Sequence, residues 1–366
     1  MLLHLFDDEK VVNRCIGMFE KALPNQNIFV CIADVNKLRH VIQADYIFFY
    51  KDGDTFDKEI LKKVDAVLIH FLNYQKIQFV RNYVEMTCPC YWIVWGADLY
   101  SQLLYFKNYP LIYSPSFLHC KKRILKFLYK CGYRGRTYKT IINFIKERIN
   151  YIVSSFDYDL IKSYLGNDIG VKPQIEGFEY YSLEAVLGDL IDSTVNSDNI
   201  LIGNSASLSN NHLYAFNYLS KLNIGNRKVV TPINYAGTQK YKSYLIHHGK
   251  MLFGENYMPL LEFLPLSEYN RLMSQASICV FANWRQEAWG NIVVALYLGA
   301  KVFLSKKSPL NHYLHKKSFV IFDLEDISQC EIDSRLETKD VEHNRALLRQ
   351  IMAESGIISN IKSIWG

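Results

Sequence analysis

The chain has 366 residues, 49% of them hydrophobic and 21% charged, with a formal net charge of +6. At about 150 residues per domain this length suggests two domains. The composition excludes a disordered chain, a collagen-like repeat and a coiled coil. Aromatic residues are abundant, with 26 Tyr, 21 Phe and 5 Trp; a ring with a polar tip suits sugar, nucleotide and interface contacts as well as ordinary cores. The eight cysteines are scattered, and only Cys88 and Cys90 lie close together, without the second pair a zinc site needs. Met1–Phe6 meets Asp7 and Asp8 at once, so no export signal is expected, and free thiols point to a reducing, cytoplasmic compartment. No run of ~20 uninterrupted apolar residues offers a membrane-spanning helix.

Strand-like apolar runs recur in chain order at 2–6, 28–33, 46–50, 66–71, 91–95 and 151–155. A second series follows at 200–203, 228–232, 251–253, 278–282, 301–304 and 319–322, and helix-length segments separate the runs. Most are continuous rather than alternating, as strands buried on both faces of a parallel sheet read. The alternation predicts an α/β chain with two Rossmann-like domains, 1–185 and 186–340, followed by a carboxyl-terminal helix within 341–366. Two open sheets of this kind are expected to face each other across a cleft, with their sites at the carboxyl ends of the strands.

Residues 121–148 carry ten Lys and Arg and a single acid, Glu147. Apolar residues 124, 125, 128 and 141, 142, 145 have helical spacing among them. A basic amphipathic helix lies on an anionic membrane surface; the alternative is a solvated helix face over a core. No nucleic-acid module accompanies the segment, so nucleic acid is not expected as a partner.

Three motifs are candidates for chemistry. In Trp92–Tyr100, a buried strand meets Gly96, which permits a tight turn, and Asp98, which can cap a following helix. In 200–205, a strand runs into Gly203, Asn204 and Ser205, a small-residue loop whose amides suit a phosphate or ribose. In 285–292, Arg285, Glu287, Gly290 and Asn291 open an apolar helix. There a helix dipole, a guanidinium and a close-approaching backbone converge on a pyrophosphate, and Glu287 is placed to accept sugar hydroxyls. Three other features read as structural. Asp157-Tyr-Asp159 matches an Asp-x-Asp metal pattern but sits where a helix cap is expected. His247-His248 precedes Gly249 at a predicted helix end, and Cys88-Pro-Cys90 leads into a strand.

These motifs resemble those of the TDP-N-acetylfucosamine:lipid II transferase family, which transfers 4-acetamido-4,6-dideoxygalactose. The likeness is strongest at Trp92–Tyr100 and continues at Ile200–Ser205 with Ser209, Asn210 and His212. Val229, Val230, Pro232 and Tyr235 follow, then Glu262, Leu264 and Tyr269, then Phe281, Ala282, Arg285, Gln286, Gly290 and Gly299. Weaker similarity covers Leu3, His4, Asn13, His70 and Asn73. The chain departs from the family at Glu287, where the family has glutamine, and at two residues inserted before Arg285, assigned to Asn283-Trp284. Ala295 stands where the Glu-x7-Glu element of retaining transferases has its second acid.

The resemblance implies a GT-B architecture, with the acceptor mainly on the first domain and the nucleotide sugar mainly on the second. It also implies a carboxyl-terminal helix, about 340–364, that crosses back to the first domain. The expected substrates are a TDP-linked sugar donor and a lipid-diphosphate-linked saccharide acceptor at the inner face of the bacterial membrane. The segment 121–148 would make the peripheral membrane contact. No metal or other cofactor is expected, because helix dipoles and Arg or Lys stabilise the leaving diphosphate in GT-B enzymes. Arg285 and the amides around Gly290-Asn291 take that role; Asn204 and Ser205 contact phosphate or sugar; Tyr235 and the Glu262–Leu264 stretch flank the nucleoside. Asp98 and His70, at strand ends of the first domain, are the candidate general bases if the enzyme inverts. Two alternatives stay open: a UDP-sugar-dependent enzyme of the same fold, and a non-catalytic membrane-associated assembly protein.

Overall fold

The structure, a computed structural model, describes residues 1–113 and 133–366. They form two compact units. The first comprises residues 1–109, 133–181 and 354–366, and the second comprises 110–113 and 182–353.

The first unit holds one parallel sheet. Its strands are β1 (Leu2–Phe6), β2 (Asn27–Ile32), β3 (Ile47–Tyr50), β4 (Ala66–His70), β5 (Cys90–Ile93), β6 (Ile149–Val153) and β7 (Gln174–Ile175). Their spatial order is β3-β2-β1-β4-β5-β6-β7. The helices are α1 (Val12–Ala22), α2 (Tyr74–Tyr83), α3 (Ala97–Leu99) continuing as a π-helical turn over Tyr100–Leu104, α4 (Tyr133–Arg148) and α5 (Tyr158–Ile169). Strands β1 and β4 are buried along their whole length, which is why they read as unbroken apolar runs. Helix α1 turns Val12, Cys15, Ile16, Phe19 and Ala22 onto the sheet; full burial of a side chain such as Phe19 contributes roughly 1.5–3 kcal/mol.

The second unit repeats the plan. Strands β8 (Asn199–Ile202), β9 (Val229–Pro232), β10 (Tyr257–Leu260), β11 (Ala276–Phe281), β12 (Lys301–Leu304) and β13 (Phe322–Asp323) form a parallel sheet in the order β10-β9-β8-β11-β12-β13. Its helices are α6 (Leu183–Leu187), α7 (His212–Leu219), α8 (Gln239–Phe253), α9 (Leu266–Ser274), α10 (Trp289–Leu298), α11 (Pro309–Lys316), α12 (Gln329–Asp333) and α13 (Thr338–Met352). In both sheets the strand order reverses beside the first strand, at β1/β4 and at β8/β11. Ligands of open parallel sheets bind at such switch points, beyond the carboxyl ends of the strands.

Several expectations need correction. The run 251–253 is the end of helix α8, and the strand lies later, at Tyr257–Leu260. Helix α8 passes through His247-His248-Gly249, because Gly249 serves packing: a Cβ there would lie 2.3 Å from the Tyr257 ring. The helix stops at Gly254, whose φ of +55° few other residues adopt. The carboxyl-terminal segment is two helices rather than one. Helix α13 ends where Ala353 turns extended, and α14 (Glu354–Trp365) belongs to the first unit. There Phe19 meets Trp365 at 5.6 Å between ring centres, and Lys21 pairs with Glu354 at 2.7 Å.

Candidate active site

The switch point of the second sheet gathers most of the residues the sequence singles out. Strand β8 ends at Ile202, and Gly203 follows with φ +69°; a Cβ there would lie 2.7 Å from Asn210 Oδ1 and 2.9 Å from His212 Nε2. Only glycine lets the chain turn this close beneath those side chains. The Asn204 amide donates to Asn210 Oδ1 at 2.8 Å, fixing the loop to the start of α7. From the β11 side comes Glu287. Its carboxylate accepts from Ser209 Oγ at 2.6 Å, Asn283 Nδ2 at 2.9 Å and Asn210 Nδ2 at 3.4 Å, with Arg285 Nε 3.8 Å away. One acceptor-only group thus joins the β8 and β11 loops. Asn283, Ser209 and Asn210 are the members of this hub to which the sequence reading gave no role.

Helix α10 starts from Ala288 at φ +66° with no side-chain cap. First-turn N–H groups have no acceptor within their own helix, and the positive end of the helix dipole favours an anion. Gly290 is exposed in that turn, and a Cβ added there would meet open space, so packing within the protein does not call for glycine. Asn291 donates to Tyr269 OH at 2.8 Å, anchoring α10 to α9.

The remaining donor-side candidates sit differently. Asn204 Nδ2 donates to the half-exposed Tyr235 at 3.2 Å, which brings the β9 loop to the same edge. Ser205 is buried, and its Oγ accepts from Asn210 Nδ2 at 3.1 Å and from the Ser207 amide at 3.3 Å. It holds the loop and does not present a hydroxyl to a ligand. Glu262 and Leu264 follow β10 on a segment that exposes Leu261, Phe263 and Leu266. Among the described residues no hydrogen bond joins that segment to the Glu287 hub.

In the first unit, both candidate bases are sealed inside the fold. Asp98 accepts from the Trp92 indole at 2.8 Å, the Leu72 amide at 3.0 Å and the Trp95 amide at 3.2 Å. Burial pushes its carboxyl up, and these hydrogen bonds pull the other way. With Gly96 turning at φ +93°, the run Trp92–Tyr100 is a knot that clamps the ends of β4 and β5. His70 is also fully buried. Its Nδ1 lies 2.9 Å from Tyr180 OH and its Nε2 3.1 Å from His4 Nδ1, while His4 Nε2 lies 3.1 Å from Asn27 Oδ1. The Trp95 indole donates to Tyr180 at 2.9 Å, so the chain runs one way, from Trp95 through Tyr180, His70 and His4 to the Asn27 carbonyl. Both imidazoles are neutral: burial holds His70 well below its usual range and brings His4 down to about 3. Neither the Asp98 carboxylate nor the His70 ring is open to solvent.

The carboxylate at the carboxyl edge of β1 is Asp7, which the sequence reading passed over. It is partly exposed and pairs with the buried Lys76 at 2.5 Å and with Asn73 Nδ2 at 3.0 Å. A lone Asp after a strand gives no pattern to find it by; its lysine is sixty-nine positions away.

Of the basic segment, residues 121–132 lie outside the described residues. In α4, Ile141, Ile142, Phe144 and Ile145 are buried in the fold, so the apolar face assigned to a membrane is occupied by the core. Arg148 is buried too, donating to the carbonyls of Met86 at 2.5 Å and Glu85 at 2.9 Å. Asp157 is buried and accepts from Tyr100 OH at 2.5 Å. Among the described residues no cluster of three His, Cys, Asp or Glu could hold a metal, and no helix is long and apolar enough to cross a membrane.

Two units, each with a parallel sheet in Rossmann strand order, give this chain the GT-B fold. Solved structures share the fold. HepE from Anabaena in complex with UDP matches at a TM-score of 0.63 and 11% identity, over 100% of this chain and 99% of that one. A glycosyltransferase from Rickettsia africae matches at 0.60 and 11%, over 99% and 97%. A trehalose 6-phosphate synthase from Burkholderia multivorans matches at 0.58 and 9%, over 100% and 95%. Residues 188–345, which lie within the second unit and include the whole Glu287 hub, match the family of 4-alpha-L-fucosyltransferases, glycosyl transferase group 56. The chain is a glycosyltransferase whose second unit is similar to this family, in agreement with the resemblance to fucosaminyltransferases read from its motifs.

Proposed function

We propose that this enzyme transfers 4-acetamido-4,6-dideoxygalactose, or a similar amino-deoxyhexose, from a TDP-sugar to a lipid-diphosphate-linked saccharide in bacterial surface-polysaccharide synthesis. The observation that carries the donor half is the uncapped start of α10 beside Arg285 and Glu287 at the β8/β11 switch point. In the reaction an acceptor hydroxyl oxygen bonds to the anomeric carbon. The bond from that carbon to the diphosphate oxygen breaks, and the nucleoside diphosphate leaves with the electron pair. The hydroxyl proton passes to a base or to the departing phosphate. Negative charge grows on the leaving group, where the α10 amides and Arg285 meet it without a metal. Glu287, an acceptor already fixed by three neutral donors, suits hydroxyl or amide N–H groups of the sugar.

The lipid-linked acceptor and a peripheral position on the inner membrane face rest on the motif resemblance. Calorimetry with TDP, UDP, GDP and ADP, with and without magnesium, on wild type and Arg285→Ala tests the reading. Selective, metal-independent TDP binding that weakens in the variant supports it. Preference for UDP keeps the fold and replaces the donor, and no binding to any of the four removes the donor site.

A further inference from the structure

Residues 110–113 come from the first half of the sequence but pack within the second unit, outside the residues that match the family. They are held by Asn211, which is buried and stands at φ +50° just before α7. Its Oδ1 accepts from the Tyr113 amide at 2.8 Å, and its Nδ2 donates to the Leu111 carbonyl at 3.5 Å and to the Ala282 carbonyl at 3.1 Å. Ala282 immediately follows β11, so one side chain fastens this strap to the root of the loop that carries Arg285 and Glu287.

The strap also touches that loop directly. The Tyr113 ring lies 5.1 Å from Tyr214 and 6.3 Å from Trp284, centre to centre, and Tyr214 and Trp284 are 5.4 Å apart. Lys307 Nζ sits 4.0 Å over the Trp284 ring. Tyr214 is itself fixed, donating to Glu325 at 2.9 Å, and Glu325 accepts from Ser305 Oγ at 2.7 Å and the Lys306 amide at 2.8 Å. Trp284 is thus enclosed by aromatic rings and a cation. On either side of it in sequence, Asn283 donates to Glu287 and Arg285 approaches Glu287. Asn283-Trp284 is the pair that the motif resemblance marks as inserted, and here it is the piece that joins strap to hub.

We propose that the strap is a positioning element of the donor site: Tyr113 packs Trp284 in place and thereby sets Arg285 and Glu287 for the nucleotide sugar. The inference rests on the donor-site reading above. Aromatic packing of this kind contributes through the fixed geometry of the rings, and loop misplacement by about 1 Å is enough to weaken a site substantially. Residues 110–113 carry no charge, and the single hydroxyl, that of Tyr113, takes no part in this packing.

The test uses the full chain as wild type, Tyr113→Phe, Tyr113→Ala and Tyr113→Leu, the last keeping apolar volume should the alanine variant not fold. TDP and UDP affinities are measured by calorimetry, melting temperature by scanning calorimetry, and amide hydrogen exchange over 285–291 in the ligand-free protein. Tyr113→Phe is expected to match wild type. Tyr113→Ala and Tyr113→Leu are expected to lose about tenfold or more in nucleotide affinity, with faster exchange over 285–291 and little change in melting temperature. Unchanged affinity and exchange in Tyr113→Ala and Tyr113→Leu would overturn the strap's role and leave the donor site standing. A wild type that binds neither nucleotide would overturn the donor-site reading by itself, and the exchange comparison would then still decide whether the strap fixes the loop.

Discussion

Trp92 donates its indole N–H to Asp98 at 2.8 Å, and both side chains are sealed from solvent. With the Leu72 and Trp95 amides also bound to Asp98, the Trp92–Tyr100 run, where the motif resemblance is strongest, is built as a structural knot. Asp98→Ala would leave the Trp92, Leu72 and Trp95 donors without an acceptor, each at about 1–3 kcal/mol. We expect a loss of roughly 3–5 kcal/mol in urea unfolding. An Asp98→Ala protein of undiminished stability but without activity would restore the residue to chemistry.

The fold was legible because parallel strands buried on both faces leave unbroken apolar runs, as at 66–70 and 276–281. The switch-point loops of the second unit were legible because Gly203, Arg285 and Gly290 sit at strand and helix ends that the hydrophobic pattern already marks. Burial of polar groups was not legible. His70 ends β4, Asp7 follows β1 and Asp98 lies in the turn after β5, and only the packing of Trp92, Tyr180 and His4 decides which of these side chains sees solvent. The apolar face of α4 failed for the same reason, since helical periodicity says that a face is covered without saying by what.

Gly203→Ala tests the tight turn at the end of β8. The φ of +69° is strained for any L side chain, and the new methyl would press on Asn210 and His212. We expect destabilisation of about 1–3 kcal/mol together with weaker nucleotide binding, because Asn210 also contacts Glu287. A variant as stable as wild type, with full affinity, would show that the loop relaxes freely.

His4, His70 and His212 are buried and neutral, with burial bringing His4 and His212 to about 3 and His70 well below its usual range. Unfolded, each takes up a proton below about 6.5. The unfolded state therefore binds more protons, and stability rises with pH through the window from about 3 to 6.5 and is complete above it. Each group contributes a slope of about 1.4 kcal/mol per pH unit within that window. Melting temperature should fall steeply from neutral pH to about 5, and a flat profile there would mean that these rings are not held neutral.

Glu287 and Arg285 should fail in different ways. On the proposed reading Arg285 meets the leaving diphosphate, so Arg285→Ala should weaken nucleoside diphosphate binding about 10–100-fold, the loss of a charge-assisted bond of about 1.5–3 kcal/mol. On the same reading Glu287 meets the sugar, so Glu287→Gln should leave nucleoside diphosphate affinity within about tenfold while kcat/KM for the intact donor falls about 100-fold. The amide keeps the side-chain volume but turns a donor toward Ser209 Oγ or Asn283 Nδ2, both of which now donate to the carboxylate. Binding of the nucleotide alone and turnover of the nucleotide sugar separate the two effects. If both variants lose nucleotide affinity equally, Glu287 supports Arg285 and does not read the sugar. If Glu287→Gln turns over normally, the hub is only a brace between the β8 and β11 loops.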